Sequence, residues 1–345
     1  MLTSIRTRLV IAALVVAATV VLAYRLARPA DPVSPEARRA APAIPVVDVR
    51  SVATAPHLLF RHTAIDANYN HLALAPIDAP NARRAATPLE CERVAFAGGR
   101  GICLQASRGI LTTFGAVVFD DTFQQLHTLK LDGSPSRARI SPDGHLGAIT
   151  VFVTGQEHGY SSGAFSTKTT ILDLATGAVL ADLEQFATTR GGQPFKAADF
   201  NFWGVTFADD SNNFFASLKT ANQTYLVRGD VRARTLMVMH ENVECPALSP
   251  DNRRVGYKKR VGSGLAPWRF HVLDLETMTE RPIAAETRSI DDQLEWLDDS
   301  HVLYGVHRSS QSAMMDVWVA PIGAGETAHP FLADAESPVV VRQNH

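Results

Sequence analysis

Neither sign of charge dominates this chain: 33 Lys and Arg stand against 35 Asp and Glu, a net charge of -2. Without a basic surplus there is no electrostatic footprint for nucleic acid, and no acidic tail marks a solvating segment. Cysteine is scarce, at three residues with no C-x2-C pair, and the twelve histidines are scattered without an H-x3-H pair. An Asp-rich calcium loop of the required spacing is also missing, so no metal and no cofactor is expected. Long apolar runs are nearly absent. The one that exists, Leu9 to Tyr24, carries no charge and is framed by Arg6 and Arg8 before it and Arg25 and Arg28 after it.

That run fits the core of a signal peptide and falls slightly short of a comfortable membrane span. Val21-Leu22-Ala23 offers a small-residue cleavage site, so two outcomes stay open: a single-pass anchor or a removed signal. In both, the leading arginines remain in the cytoplasm and the bulk of the chain is exported, to a periplasm or the cell exterior. From Ala27 to Pro56 the composition turns to Ala, Pro, Arg and Val, with prolines at 29, 32, 35, 42 and 45. Such a stretch cannot hold a regular helix and reads as an extended spacer. The expected organisation is an anchor or signal helix over 1–26, a linker over 27–56 and a folded domain over 57–345. Val46 to Val52 alternates enough for a strand, one able to complete the last unit of a closed ring.

The domain is built from a repeat. Ser249-Pro250-Asp251-Asn252 is a turn followed by the strand-like Arg254 to Lys258; after a Gly/Ser/Pro loop come Arg269 to Leu275, a turn at Glu276-Thr277-Met278-Thr279 and a short strand into Ile283. Four strands and three turns in about 40 residues make one propeller blade. The unit recurs at Ser141-Pro142-Asp143-Gly144 with Asp173-Leu174-Ala175-Thr176-Gly177, at Asp209-Asp210, at Asp298-Asp299, and more weakly at Gly98 to Gly101 and at Asp66-Ala67-Asn68. Six turns predict six blades, and the length suits one large repeat domain.

The S-P-D-G hairpin, the alternating strand and the D-L-x-T-G turn resemble the WD40-like PD40 repeat of TolB-like six-bladed β-propellers. The resemblance runs from about Phe60 to Phe331 and is strongest over Ser141 to Gly177 and Ser249 to Met278. It implies an all-β propeller. Such propellers serve as binding scaffolds, as caps on peptidases and as enzymes.

Spacing between turns is about 31 residues from Asn68 to Gly99, then about 44, 67, 41 and 47. One blade is therefore enlarged, with its surplus in Thr154 to Lys168 and Glu184 to Asp199. With strands named A to D from the axis outward, the first insert joins B to C and the second joins D to the next A. Strand direction alternates, so both leave from one face, which is expected to be the binding face. Candidate contacts there are Glu157, His158, Arg190, Lys196 and Asp292. The partner expected is another envelope protein or a peptide, bound without catalysis. The alternatives are a propeller enzyme, of lyase or hydrolase type, or a ligand-sensing domain, either with its site at the central channel, where titratable groups from different blades would converge.

Several motifs carry less. Gly159-Tyr160-Ser161-Ser162-Gly163 matches G-x-S-x-G, but a strand follows it where a hydrolase has a helix. With the turn placed at Gly98 to Gly101, Cys103 falls opposite Phe96, which leaves Cys91 about 17 Å along the strand. The reading is therefore of free thiols, unless the strand breaks before Glu92. The aromatics around Phe200, Phe202, Trp203, Phe207, Phe214 and Phe215 read as packing between blades, as do Trp268, Trp296 and Trp318. Lys258-Lys259-Arg260 reads as a solvated edge, and Asn222-Gln223-Thr224 is a formal glycosylation sequon.

Overall fold

The computed structural model describes residues 44–154, 165–264, 266–309 and 312–342. The apolar run Leu9 to Tyr24 lies outside them, and among the described residues no helix is long and apolar enough to cross a membrane. What they form is a six-bladed β-propeller.

Blade 1 holds β1 (His57–His62), β2 (His71–Pro76) and β3 (Ala85–Glu90); blade 2 holds β4 (Arg93–Ala97), β5 (Arg100–Ser107), β6 (Thr113–Asp120) and β7 (Gln125–Leu131). Blade 3 comprises β8 (Ser134–Ile140), β9 (Leu146–Thr154), β10 (Ser166–Asp173) and β11 (Val179–Asp182). A short hairpin of β12 (Ala187–Arg190) and β13 (Gln193–Pro194) precedes blade 4, whose strands are β14 (Asn201–Phe207), β15 (Asn213–Thr220), β16 (Gln223–Asp230) and β17 (Thr235–Glu241). Blade 5 contains β18 (Glu244–Leu248), β19 (Arg254–Arg260), β20 (Trp268–Asp274) and β21 (Glu280–Pro282). Blade 6 contains β22 (Glu295–Trp296), β23 (His301–His307), β24 (Met315–Pro321) and β25 (His329–Leu332).

The ring is closed from the other end of the chain than the alternation at Val46 to Val52 suggests. The strand β26 (Ala335–Val341) pairs antiparallel with β1 from His57↔Val341 to His62↔Ala335 and becomes the innermost strand of blade 1. Val46 makes only an isolated bridge to Arg84, and the next residues form a single helical turn, α1 (Arg50–Ala53), whose Val52 is buried between blades 1 and 2. This closure also reassigns the first turn. Asp66-Ala67-Asn68 joins strands B and C of blade 1, whereas the other five turns join A to B, which is why the first spacing came out short.

The repeated motifs have one chemistry. In Ser141-Pro142-Asp143 the serine hydroxyl donates to the aspartate at 2.5 Å and accepts from the Leu146 amide at 2.9 Å; Ser249 does the same with Asp251 at 2.5 Å and the Arg254 amide at 2.9 Å. In the outer turn, Asp173 accepts from the amide and hydroxyl of Thr176, and Asp274 from those of Thr277. Each side chain satisfies backbone groups that the turn leaves unpaired. The inner turns also join one another around the axis: the Asp143 amide donates to Ser211, the Asp209 amide to Asn252 and the Asp251 amide to Asp299. Between blades 2 and 3 the belt is a direct backbone approach. Gly98 and Gly144 both have positive φ, and a Cβ on Gly98 would stand 2.3 Å from the Gly144 nitrogen, so the site demands glycine.

Blade faces pack through rings. Phe202, Phe207 and Phe214 meet Ile171 and Leu183 between blades 3 and 4, and Phe215 packs with Tyr257 between blades 4 and 5. Full burial of each such side chain stabilises the ring by about 1.5–3 kcal/mol.

Cys91 and Cys103 form a disulfide with Cα atoms 5.2 Å apart, against the sequence expectation. The turn uses two residues, Gly98 and Gly99, so Cys103 pairs with Val94, two residues from the expected partner. The strand begins only at Arg93, and the chain bends back at Cys91, whose amide donates to Asn70 of the preceding blade. Cys245 is a buried free thiol.

Candidate functional site

The innermost strands carry charge toward the axis. Arg93 comes from blade 2, Arg137 and Arg139 from blade 3, Glu295 from blade 6 and Glu336 from the closing strand. Glu336 is buried and takes Arg61 at 2.5 Å and Arg93 at 2.6 Å. Burial opposes its ionisation, yet Arg93, Arg61 and Arg137 together hold its carboxyl below the usual range. Arg139 pairs with Glu295 at 3.2 Å. Asp292 stands on the long connection from blade 5 to blade 6. There it is buried, ion-paired with Arg137 from the opposite side of the ring, and accepts from the Gly305 amide at 2.8 Å.

Beside these groups Gln293 donates to the Pro246 carbonyl, and the cavity left among Arg93, Arg137, Arg139, Asp292 and Gln293 measures about 10 Å³. That is room for about one water. Titratable groups from four blades do converge at the axis, as mutually neutralising pairs.

Around the mouth on the face of the B–C and D–A connections, aromatics and cations interleave over blades 3 to 5. Phe165 and Trp203 meet edge to face at 5.3 Å, and Trp203 packs with Cys245 and Trp268. Lys219 lies over the Phe165 ring at 5.0 Å; Lys258 and Arg260 lie over Trp268 at 5.0 and 5.1 Å. Lys258 corrects the reading of a solvated edge: it is buried and ion-paired with Asp291, and despite the burial that disfavours its charge, Asp291 holds its pKa above the ordinary lysine value. Lys259 points to the other side of the strand and pairs with Glu280, while Arg260 stays exposed.

The same face displays apolar side chains. Ile110 is fully exposed and Leu111 81% exposed on the B–C connection of blade 2; Val153 ends strand B of blade 3, and Val261 follows strand B of blade 5. The remaining large exposed apolar residues are Val46 and four on the fourth strands of their blades, Leu126, Val179, Leu180 and Met237. These four stand near the starts of their strands, toward the outer turns of the opposite face. Ile110 and Leu111 are adjacent on one loop of blade 2, and Val153 and Val261 stand on blades 3 and 5.

Of the residues proposed from sequence, Glu157 and His158 lie outside the described residues. Arg190 ends β12, reaches Glu241 at 2.7 Å and sits 5.0 Å over the Tyr225 ring. It ties the added hairpin to blade 4, because β12 runs parallel to β17 along the rim. Lys196 is exposed beyond that hairpin. The second insert therefore extends the rim of blade 4, and only its Arg190 end reaches the face. Asp292 belongs to the axis. The structure does not gather these three into one patch. Sequence reading missed Ile110 and Leu111, whose signal was an apolar pair in a Gly-containing loop.

No protein-family model matches the chain and no curated relative is found for it. Among solved structures, TolB from Acinetobacter baumannii superposes with a TM-score of 0.56 at 14% identity, covering 84% of this chain and 66% of that one. The chain thus spans just under two thirds of that protein's length. The nidogen/laminin complex contains a chain matched at TM-score 0.56 and 10% identity, over 83% of this chain and 98% of that one. Superpositions at identities this low show the fold alone, a six-bladed β-propeller.

Proposed function

We propose that this TolB-like propeller is a non-catalytic scaffold of the cell envelope, exported and held by its N-terminal segment, that binds a protein or peptide over the face of its B–C connections. The observation that carries the reading is the exposure of Ile110 and Leu111 on one loop of that face, with Val261 on another loop of the same face, beside an axis where Glu336 and Asp292 are ion-paired. An enzyme built on the channel would need room for substrate among Arg93, Arg137 and Asp292, where a single water fits. The Cys91–Cys103 bridge supports an oxidising compartment, in agreement with export.

Burying exposed Ile, Leu and Val against a partner gains about 25 cal/mol per Å² of apolar area, and charged replacements reverse that gain. Pull-down from host envelope extracts with Ile110→Asp/Leu111→Asp/Val261→Asp is expected to lose at least ten-fold of the partner that the wild type retains. A variant altered on the opposite face, Asp121→Lys/Glu276→Lys, should keep it. Equal retention by the first variant and the wild type would remove the face from the proposal.

A further inference from the structure

A groove of about 450 Å³ lies between blades 3 and 4, on the side of the inner and outer turns and so away from the face described above. Its volume is that of ordinary small-ligand sites. Leu146, Leu180, Ala181 and Val231 give it an apolar floor and wall. Arg232 and Arg234 stand at its edge, both exposed, on the outer turn of blade 4. Arg234 is held in place, since its guanidinium donates to the Leu180 carbonyl at 3.0 Å, where β11 departs from regular pairing with β10. The Arg232 guanidinium has no partner among the described residues.

The acidic groups nearby are engaged in their own turns. Asp143, which lines the groove, accepts from Ser141 and the His145 amide; Asp210 accepts from the Asn212 and Asn213 amides, and Asp230 from the Ala233 amide. The arginines are not consumed in this way. Elsewhere this side of the ring carries both signs, with Asp120, Asp121, Asp173, Asp274 and Glu276 on the outer turns and Arg83, Arg100 and Arg253 on others.

We propose that this groove binds a ligand with an apolar body ending in a carboxylate, the carboxylate meeting Arg232 and Arg234 and the body lying on Leu146, Leu180 and Val231. A planar guanidinium recognises a carboxylate through paired donors, and Arg234 is already oriented by its bond to Leu180. Two sources share this chemistry, a peptide C-terminus and a free aliphatic acid.

Calorimetric titration of the whole folded domain with acetyl-Leu-Leu-Phe, with its C-terminal amide and with octanoate separates them. The acid peptide is expected to bind at least ten-fold more tightly than the amide, and Arg232→Gln/Arg234→Gln to reduce that affinity at least ten-fold with no change in thermal midpoint. Tighter binding of octanoate than of the peptide, with the same dependence on the arginines, would support the free acid as the source. Equal binding of acid and amide, indifference to the arginine substitutions, or no heat from any probe at millimolar concentration would each overturn the proposal. Because the groove is remote from Ile110 and Leu111, none of these results depends on the scaffold reading.

Discussion

Replacing Glu336 with leucine is expected to destabilise the propeller by about 3–5 kcal/mol, the usual cost of removing one partner from a buried ion pair. The carboxylate sits between Arg61 at 2.5 Å and Arg93 at 2.6 Å, and its loss leaves both guanidiniums without their nearest counter-charge in a buried setting. For a domain of this size the thermal midpoint should fall by on the order of 10 °C. The pH dependence has a definite sign. The carboxyl titrates lower in the fold than in the unfolded chain, so its contribution is complete above the unfolded value, about 4.3, and fades as pH falls toward the folded value. The gap between wild type and Glu336→Leu, measured by denaturant unfolding, should therefore narrow between pH 6 and pH 3. A cost below about 1 kcal/mol at pH 7, or a gap independent of pH, would show that the axial pairs do not hold the ring in the way described.

Removing the disulfide should come next in size. Cys91 and Cys103 are twelve residues apart, and closing a loop of that length stabilises a fold by about 3 kcal/mol through restriction of the unfolded chain. Cys91→Ala/Cys103→Ala is expected to lower the thermal midpoint by roughly 6–12 °C, more than Cys245→Ser, whose thiol is buried but unbridged. Alkylation in denaturant without reductant should modify one cysteine of the wild type, and all three after reduction. Three modified cysteines in unreduced protein from an oxidising compartment would contradict the bridge.

The sequence revealed the fold wherever a side chain serves its own turn. Ser141, Asp143, Ser249 and Asp251 bond amides within five residues of themselves, so the pattern is visible locally and repeats with the blade. Ring closure was not visible, because β26 reads like any strand and its partner β1 lies at the far end of the domain. The disulfide was misread by a two-residue error in one turn, enough to move Cys103 from Val94 to Phe96.

The site was less legible for the same reason of distance. Asp292 meets Arg137 across the axis, 155 residues away, and Lys258 is buried because Asp291, 33 residues on, supplies its counter-charge. No local pattern announces such pairs. The enlarged third blade was found from spacing alone, but spacing could not say that the second insert would lie along the rim as β12 and β13.

The scaffold claim meets its most direct test in site-specific photocrosslinking in the native host. A photoreactive phenylalanine analogue placed at Leu111 or Val261 probes the face of the B–C connections, and one placed at Asp121 or Glu276 probes the opposite face. Positions 111 and 261 are expected to capture the same envelope protein or peptide, and 121 and 276 are not. Capture of that partner from 121 or 276, or no capture from 111 and 261, would contradict the scaffold claim.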